Sequence, residues 1–152
     1  MPTFIIRSAL DSDRAQWEPL WDAYNAFYGR AGSTALARVV VDTTWARFFD
    51  AGEPVHALVA ERDGELLGLA HFLFHRSTIH LTPICYLQDL YVAERARGGG
   101  VATALILAAS QNARDKGSTR LYWITGTANI AAIRLYDGLA ERRDFVTYQR
   151  PL

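Results

Sequence analysis

The sequence predicts a mixed α/β fold: a single domain over residues 1–152, with a central mixed β-sheet flanked by helices. Three observations carry this. Trp17, Leu20, Trp21, Tyr24, Phe27 and Tyr28 recur at the spacing of one helix face. Asp63-Gly64 separates two apolar runs, a strong hairpin signal. Farther on, an apolar strand runs through Gly98-Gly99-Gly100 straight into a helical pattern. A chain of 152 residues, half of them apolar, is large enough for one core.

Taken in order, residues 3–8 read as a first strand. Asp11 or Asp13 caps the helix that carries the aromatic stripe, Pro19 sits in its first turn or kinks it, and Gly29 and Gly32 mark its end. Residues 33–41 have no clear period. Asp42 is expected to cap a short helix holding Trp45, Phe48 and Phe49, closed by Gly52. The hairpin follows, with strands over 55–62 and 65–76. Residues 84–92 form another strand, 101–116 a helix ended by Gly117, 119–125 a strand, 129–140 a helix and 145–150 a last strand. The order β-α-α-β-β-β-α-β-α-β places two βαβ units late in the chain and predicts a partly parallel half-sheet.

Composition narrows the function. Sixteen basic and sixteen acidic residues cancel, so no general field draws nucleic acid or anionic lipid. One cysteine, Cys85, excludes an internal disulfide and reads as a small buried residue in the run Ile84-Cys85-Tyr86-Leu87. No stretch has the ~20 apolar residues of a membrane span, and the first residues lack a signal-peptide core. The expected location is the cytoplasm. His71 and His75 stand four apart, on one face of a strand, but no cysteine or carboxylate has metal-site spacing, so no metal is expected.

The chemistry concentrates in residues 86–105. A helix start exposes unpaired N–H groups and a partial positive charge. Glycines let that backbone come close to a ligand, and Arg95 and Arg97 add charge beside it. This is a phosphate cradle. It is not a P-loop, since no Gly-x-x-x-x-Gly-Lys-Ser/Thr is present, and Gly98-x-Gly100-x-x-Thr103 lacks the third glycine of the dinucleotide motif.

Arg97-Gly98-Gly99-Gly100-Val101-Ala102 resembles the Arg/Gln-x-x-Gly-x-Gly/Ala signature of the GCN5-related N-acetyltransferase (GNAT) superfamily. Asp89-Leu90-Tyr91-Val92 looks like its cofactor-pairing strand. Asn129, followed seven residues later by Tyr136, matches a third element. The resemblance covers residues 84–148, nearest in appearance to the Hpa2-like and diamine acetyltransferase subgroups. It implies transfer of acetyl from acetyl-CoA directly to a primary amine, with Arg97 to Ala102 on the pyrophosphate, Leu90, Tyr91 and Val92 along the pantetheine arm, Asn129 on the cofactor, and Tyr136 giving a proton to the departing thiolate. The acceptor is a small or polyamine-like amine, or a protein amine.

Two departures stand out. The usual proline before the turn is replaced by Ala93-Glu94. Gln88 occupies the place where diamine acetyltransferases carry a glutamate, leaving Asp89, Tyr86, a histidine through water, or solvent as base. A polyamine site requires converging carboxylates. A homodimer is expected from the resemblance and the aromatic content. The competing reading is a non-catalytic acetyl-CoA sensor, which needs no Tyr136.

Overall fold

The computed structural model describes residues 3–152. Its sheet has the order β1-β2-β3-β4-β5, formed by Ile5–Ser8, Val55–Arg62, Glu65–His75, Ile84–Val92 and Leu121–Tyr122. The first four strands are antiparallel, and β4 pairs β5 in parallel. Helices α1 (Arg14–Phe27) and α2 (Arg38–Arg47) cover one face. The other face carries α3 (Val101–Asp115) and α4 (Ile130–Asp137). No described helix is long and apolar enough to cross a membrane.

The two faces bury different chemistry. Under α1 and α2 lie Trp17, Trp21 and Trp45, with Val59, Leu66 and Leu69 of the sheet. The α3 face is mainly aliphatic: Leu105, Ile106, Ala109 and Ala113 pack on Ala70, Cys85 and Leu87, with Phe72 and Phe74 beside them.

Asp63 and Gly64 both have positive φ, 53° and 81°, as a two-residue hairpin turn with matching twist demands. Two bulges then set which side chains face which helix. In β3, Ala60 pairs Gly68 and Glu61 pairs Leu66, so Leu67 is the extra residue. In β4, Phe72 pairs Leu87 and His71 pairs Asp89, so Gln88 is extra. One extra residue exchanges the faces of everything after it. Cys85 and Leu87 face α3; beyond the bulge, Leu90 and Val92 hold that side while Tyr91 turns to the α1 face. The strands approach so closely at Gly68 that a Cβ there would lie 2.7 Å from the Tyr91 carbonyl oxygen.

Several expectations need correction. Asp13 stands at the start of α1 without capping it. Its carboxylate instead accepts the Leu10 N–H at 2.7 Å and two hydrogen bonds from the Arg7 guanidinium. Pro19 lies inside α1, past its first turn, and the helix continues through it. The second helix begins at Arg38, four residues before the expected cap, and Asp42 lies within it, bonded to Arg14 and Arg38. The strand expected over 119–125 shrinks to Leu121–Tyr122.

No strand forms over 145–150: Phe145, Val146 and Tyr148 are 79%, 79% and 92% exposed. The residue types suit a strand, but this segment pairs with neither edge of the sheet, leaving the outer side of β5 open. The parallel part of the sheet is therefore the β4–β5 pair alone.

Candidate functional site

β4 and β5 share two rungs, Cys85–Leu121 and Tyr86–Tyr122. Past Tyr86 the strands part, and the rest of β4 is paired only on the β3 side. The gap opens into a cleft of about 530 Å³ between β4, the start of α3 and α4. Leu90, Tyr91 and Val92 line it along the strand. At one end, Arg97, Gly98, Gly100, Val101 and Ala102 form its wall. Asn129 and Tyr136 line it from the α4 side.

The glycine-rich end is shaped by backbone. Gly98 and Gly100 have φ of 80° and 84°, left-handed values that a side chain makes costly. Gly100 begins α3, its carbonyl accepting the Ala104 N–H at 3.0 Å. The first N–H groups of the helix have no partner within it and stand at the cleft. Arg97 is fixed beside them: its Nε donates to the Val92 carbonyl at 3.1 Å, and its guanidinium lies 5.7 Å from the centre of the Tyr91 ring. Unpaired donors, a helix N-terminus and a guanidinium suit a pyrophosphate. Gly99 does not line the cleft; its part is in the turn.

At the other end the cleft joins a small aromatic chamber through shared Tyr24, Tyr28, Leu90 and Tyr136. Trp123 and Tyr136 meet edge-on, ring centres 5.3 Å apart. Burial, then the nearby Tyr28, pushes the Tyr136 hydroxyl pKa above its usual 10, so it is protonated at neutral pH. Asn129 precedes α4, and its side chain reaches Thr125 Oγ1 at 3.4 Å. Phe27 and Tyr28, at the C-terminal end of the aromatic stripe, reach the cleft.

Asp89 lies behind the lining. Its Oδ2 is 2.8 Å from His71 Nδ1, and His71 is buried. His71 and His75 thus have separate fates, since His75 Nε2 meets the Tyr122 hydroxyl at 2.8 Å. Tyr86 stacks on Tyr122, and burial raises its pKa, so it carries no charge near neutrality and is a poor base. The convergence of carboxylates that a polyamine site requires is not formed by Asp13, Asp42 or Asp50: Asp13 pairs with Arg7, Asp42 with Arg14 and Arg38, and Asp50 bonds the Gly52 N–H. No carboxylate lines either cavity. The sequence reading did not place Tyr24 or Trp123 at the site. Tyr24 had a signal, as the stripe residue one turn before Phe27-Tyr28; Trp123 follows β5 where that strand parts from β4.

Residues 17–139 match the Acetyltransferase (GNAT) family. The chain belongs to the GNAT acetyltransferases. It is 33% identical over 148 residues to the D-amino-acid N-acetyltransferase HPA3 of Saccharomyces cerevisiae, spanning 96% of this chain and 89% of that protein. It is 32% identical to an uncharacterized N-acetyltransferase, YhfO, of Bacillus subtilis, over 94% of each. A crystal structure described as a probable acetyltransferase superposes with a TM-score of 0.83 at 27% identity, covering 97% of both chains. The fold is the GNAT fold, and the protein is an acyltransferase of this family.

Proposed function

We propose that this GNAT enzyme moves an acetyl group from acetyl-CoA to the primary amine of a small acceptor, with an amino acid the favoured class. The observation that carries the reading is the continuous path from the α3 N-terminus, along the unpaired side of β4, to Tyr136 and the aromatic chamber. Arg97 and the backbone of Gly98, Gly100, Val101 and Ala102 hold the pyrophosphate, Gly99 shapes the turn between them, and Asn129 steadies the cofactor from α4. Leu90, Tyr91 and Val92 flank the pantetheine arm.

The acceptor nitrogen, in its neutral form, attacks the thioester carbonyl with no enzyme nucleophile. The C–N bond forms and the C–S bond breaks. Tyr136 gives its proton to the departing sulfur and takes back the one the nitrogen releases. Absence of carboxylates from the lining speaks against a polyamine, whose several cations need several anions. Likeness to a D-amino-acid acetyltransferase points to the amino-acid class.

The chain works as one domain, and as a homodimer. No residue after Ser118 is buried, β5 offers an open edge, and residues 145–150 form an unpaired, strand-suited arm. Exchange of that arm between two copies satisfies both. Light scattering at micromolar concentration tests this; a monomer contradicts it.

Free-thiol release from acetyl-CoA, across D- and L-amino acids, spermidine, aminoglycosides and a histone-tail peptide, tests the activity. Release above the no-acceptor rate, with kcat in Tyr136→Phe down about 10²–10⁴-fold, is expected. Unchanged kcat in that variant removes Tyr136 from its role, and silence across the panel removes the amine reading.

A further inference from the structure

Leu90 and Tyr136 line both the cleft and the aromatic chamber. A thioester sulfur within reach of the Tyr136 hydroxyl therefore stands where the two cavities meet. A thioester carbon is planar. Its three substituents are the sulfur, the carbonyl oxygen and the acyl chain, and a nucleophile approaches across that plane. The sulfur arrives along the cleft. The oxygen needs N–H donors, and past Tyr86 the side of β4 that faced β5 is unpaired. One in-plane direction is left for the chain, away from the cleft, and the chamber lies there.

The chamber is small. Its volume is about 20 Å³, room for one group the size of a water or a methyl. Several of its walls are pinned. Leu87 is buried in the core on the α3 side. The Tyr24 hydroxyl donates to the Gln88 carbonyl at 3.3 Å, and Asn129 Nδ2 donates to Thr125 Oγ1 at 3.4 Å. Trp123 is the bulkiest wall. It follows β5 where that strand parts from β4, and it meets Tyr136 edge-on. Trp17, Trp21 and Trp45 fill the core under α1 and α2, whereas Trp123 borders the site and is only partly buried.

We propose that this chamber is the acyl pocket and that Trp123 sets its size: the pocket admits the methyl of an acetyl group and excludes the chains of propionyl- and butyryl-CoA. This rests on the acetyltransferase reading and adds to it a length limit on the donor, fixed by one specificity-determining residue. Tyr28 and Ile124 are exposed and form the open side, by which the acceptor enters. Housing a longer chain displaces the indole, and with it the edge contact that braces Tyr136. Excluded donors therefore lose turnover as well as affinity.

Two readouts on the whole chain test this. Rates with acetyl-, propionyl- and butyryl-CoA are followed by free-thiol release with the best acceptor of the panel. Affinities for the same donors are measured by calorimetry with no acceptor present. In the wild type kcat/KM falls about tenfold or more for each added methylene, the scale of one methylene that a pocket refuses. Butyryl-CoA binds at least about fivefold more weakly than acetyl-CoA. Trp123→Ala brings acetyl- and butyryl-CoA to within about twofold by both readouts. Loss of the brace on Tyr136 falls on every donor alike, so the ratio between donors is read rather than the rate. Trp123→Phe, which keeps a smaller ring in place, admits propionyl-CoA and still disfavours butyryl-CoA.

If Trp123→Ala does not melt cooperatively, Trp123→Leu is read in its place. A wild type that uses butyryl-CoA as well as acetyl-CoA overturns the pocket, and so does an acetyl preference that survives loss of the indole. Acetylation of an amine with no limit on chain length sinks this proposal alone. An affinity order that is present in the wild type and levelled in Trp123→Ala, with no amine acetylated, sinks the enzymatic reading and leaves the pocket standing.

Discussion

The chain up to Ser118 and the chain after it are built on different terms. Among the described residues, every buried one lies in the first part. That part fills both faces of the sheet, aromatic under α1 and α2 and mainly aliphatic under α3. The second part supplies Trp123, Asn129 and Tyr136 to the cleft, yet it leans on the core only through partly buried Leu121, Trp123, Tyr136 and Leu139. Stability and chemistry are thus divided along the sequence. The body holds its shape by its own burial, while the segment after Ser118 brings functional groups to a wall it cannot bury alone.

Three substitutions probe that contrast. Leu105, fully buried under α3, should cost about 2–5 kcal/mol as Leu105→Ala in denaturant unfolding. Leu139→Ala should cost less than half of that, and equal losses would break the contrast. Asp13→Asn, still within the body, should cost about 1.5–3 kcal/mol at neutral pH because it removes a charge-assisted bond to Arg7. The Asp13 carboxyl is held below its ordinary 3.8, chiefly by hydrogen bonding to Arg7. Its contribution is therefore complete above that value and fades as pH falls through the lowered one. Wild type and Asp13→Asn should converge in acid, and a gap that widens instead would contradict the pairing.

Smaller effects belong to the cleft and the arm. Gly100→Ala should cost about 1–2 kcal/mol through its left-handed φ, and should weaken acetyl-CoA binding measured by calorimetry. Tyr148→Ser should change the stability of dilute protein by less than about 0.5 kcal/mol, since the ring is exposed in a single chain. If the arm crosses between copies, the same change raises the dimer dissociation constant. A large loss in the dilute state would show that the tail has a core of its own.

What could be read from the sequence follows the range of the forces involved. The α1 stripe, the Asp-Gly turn, β4 to its last residue and the glycine entry to α3 rest on local period and backbone preference. Most site positions lie in those segments. The start of α2 was missed because Asp42 looks like a cap, while its carboxylate is used by Arg14 and Arg38 from inside the helix. The last strand failed because 145–150 has the residues of a strand but pairs with no edge of the sheet, and pairing is a long-range choice that local residue types do not settle. The pairing of His71 with Asp89 depends on the Gln88 bulge, a one-residue shift with no local signature.

Cys85 turns the narrow β4–β5 junction into something that can be timed. Its thiol is fully buried at one of the two rungs joining those strands, with its pKa pushed up to about 12 by burial. A thiol reagent meets a reactive thiolate only when that junction opens. Because the chain has no other cysteine, each labelled molecule records one such opening. Labelling kinetics therefore measure how often the closed end of the cleft breathes, and whether filling the cleft quiets it, in the unaltered protein.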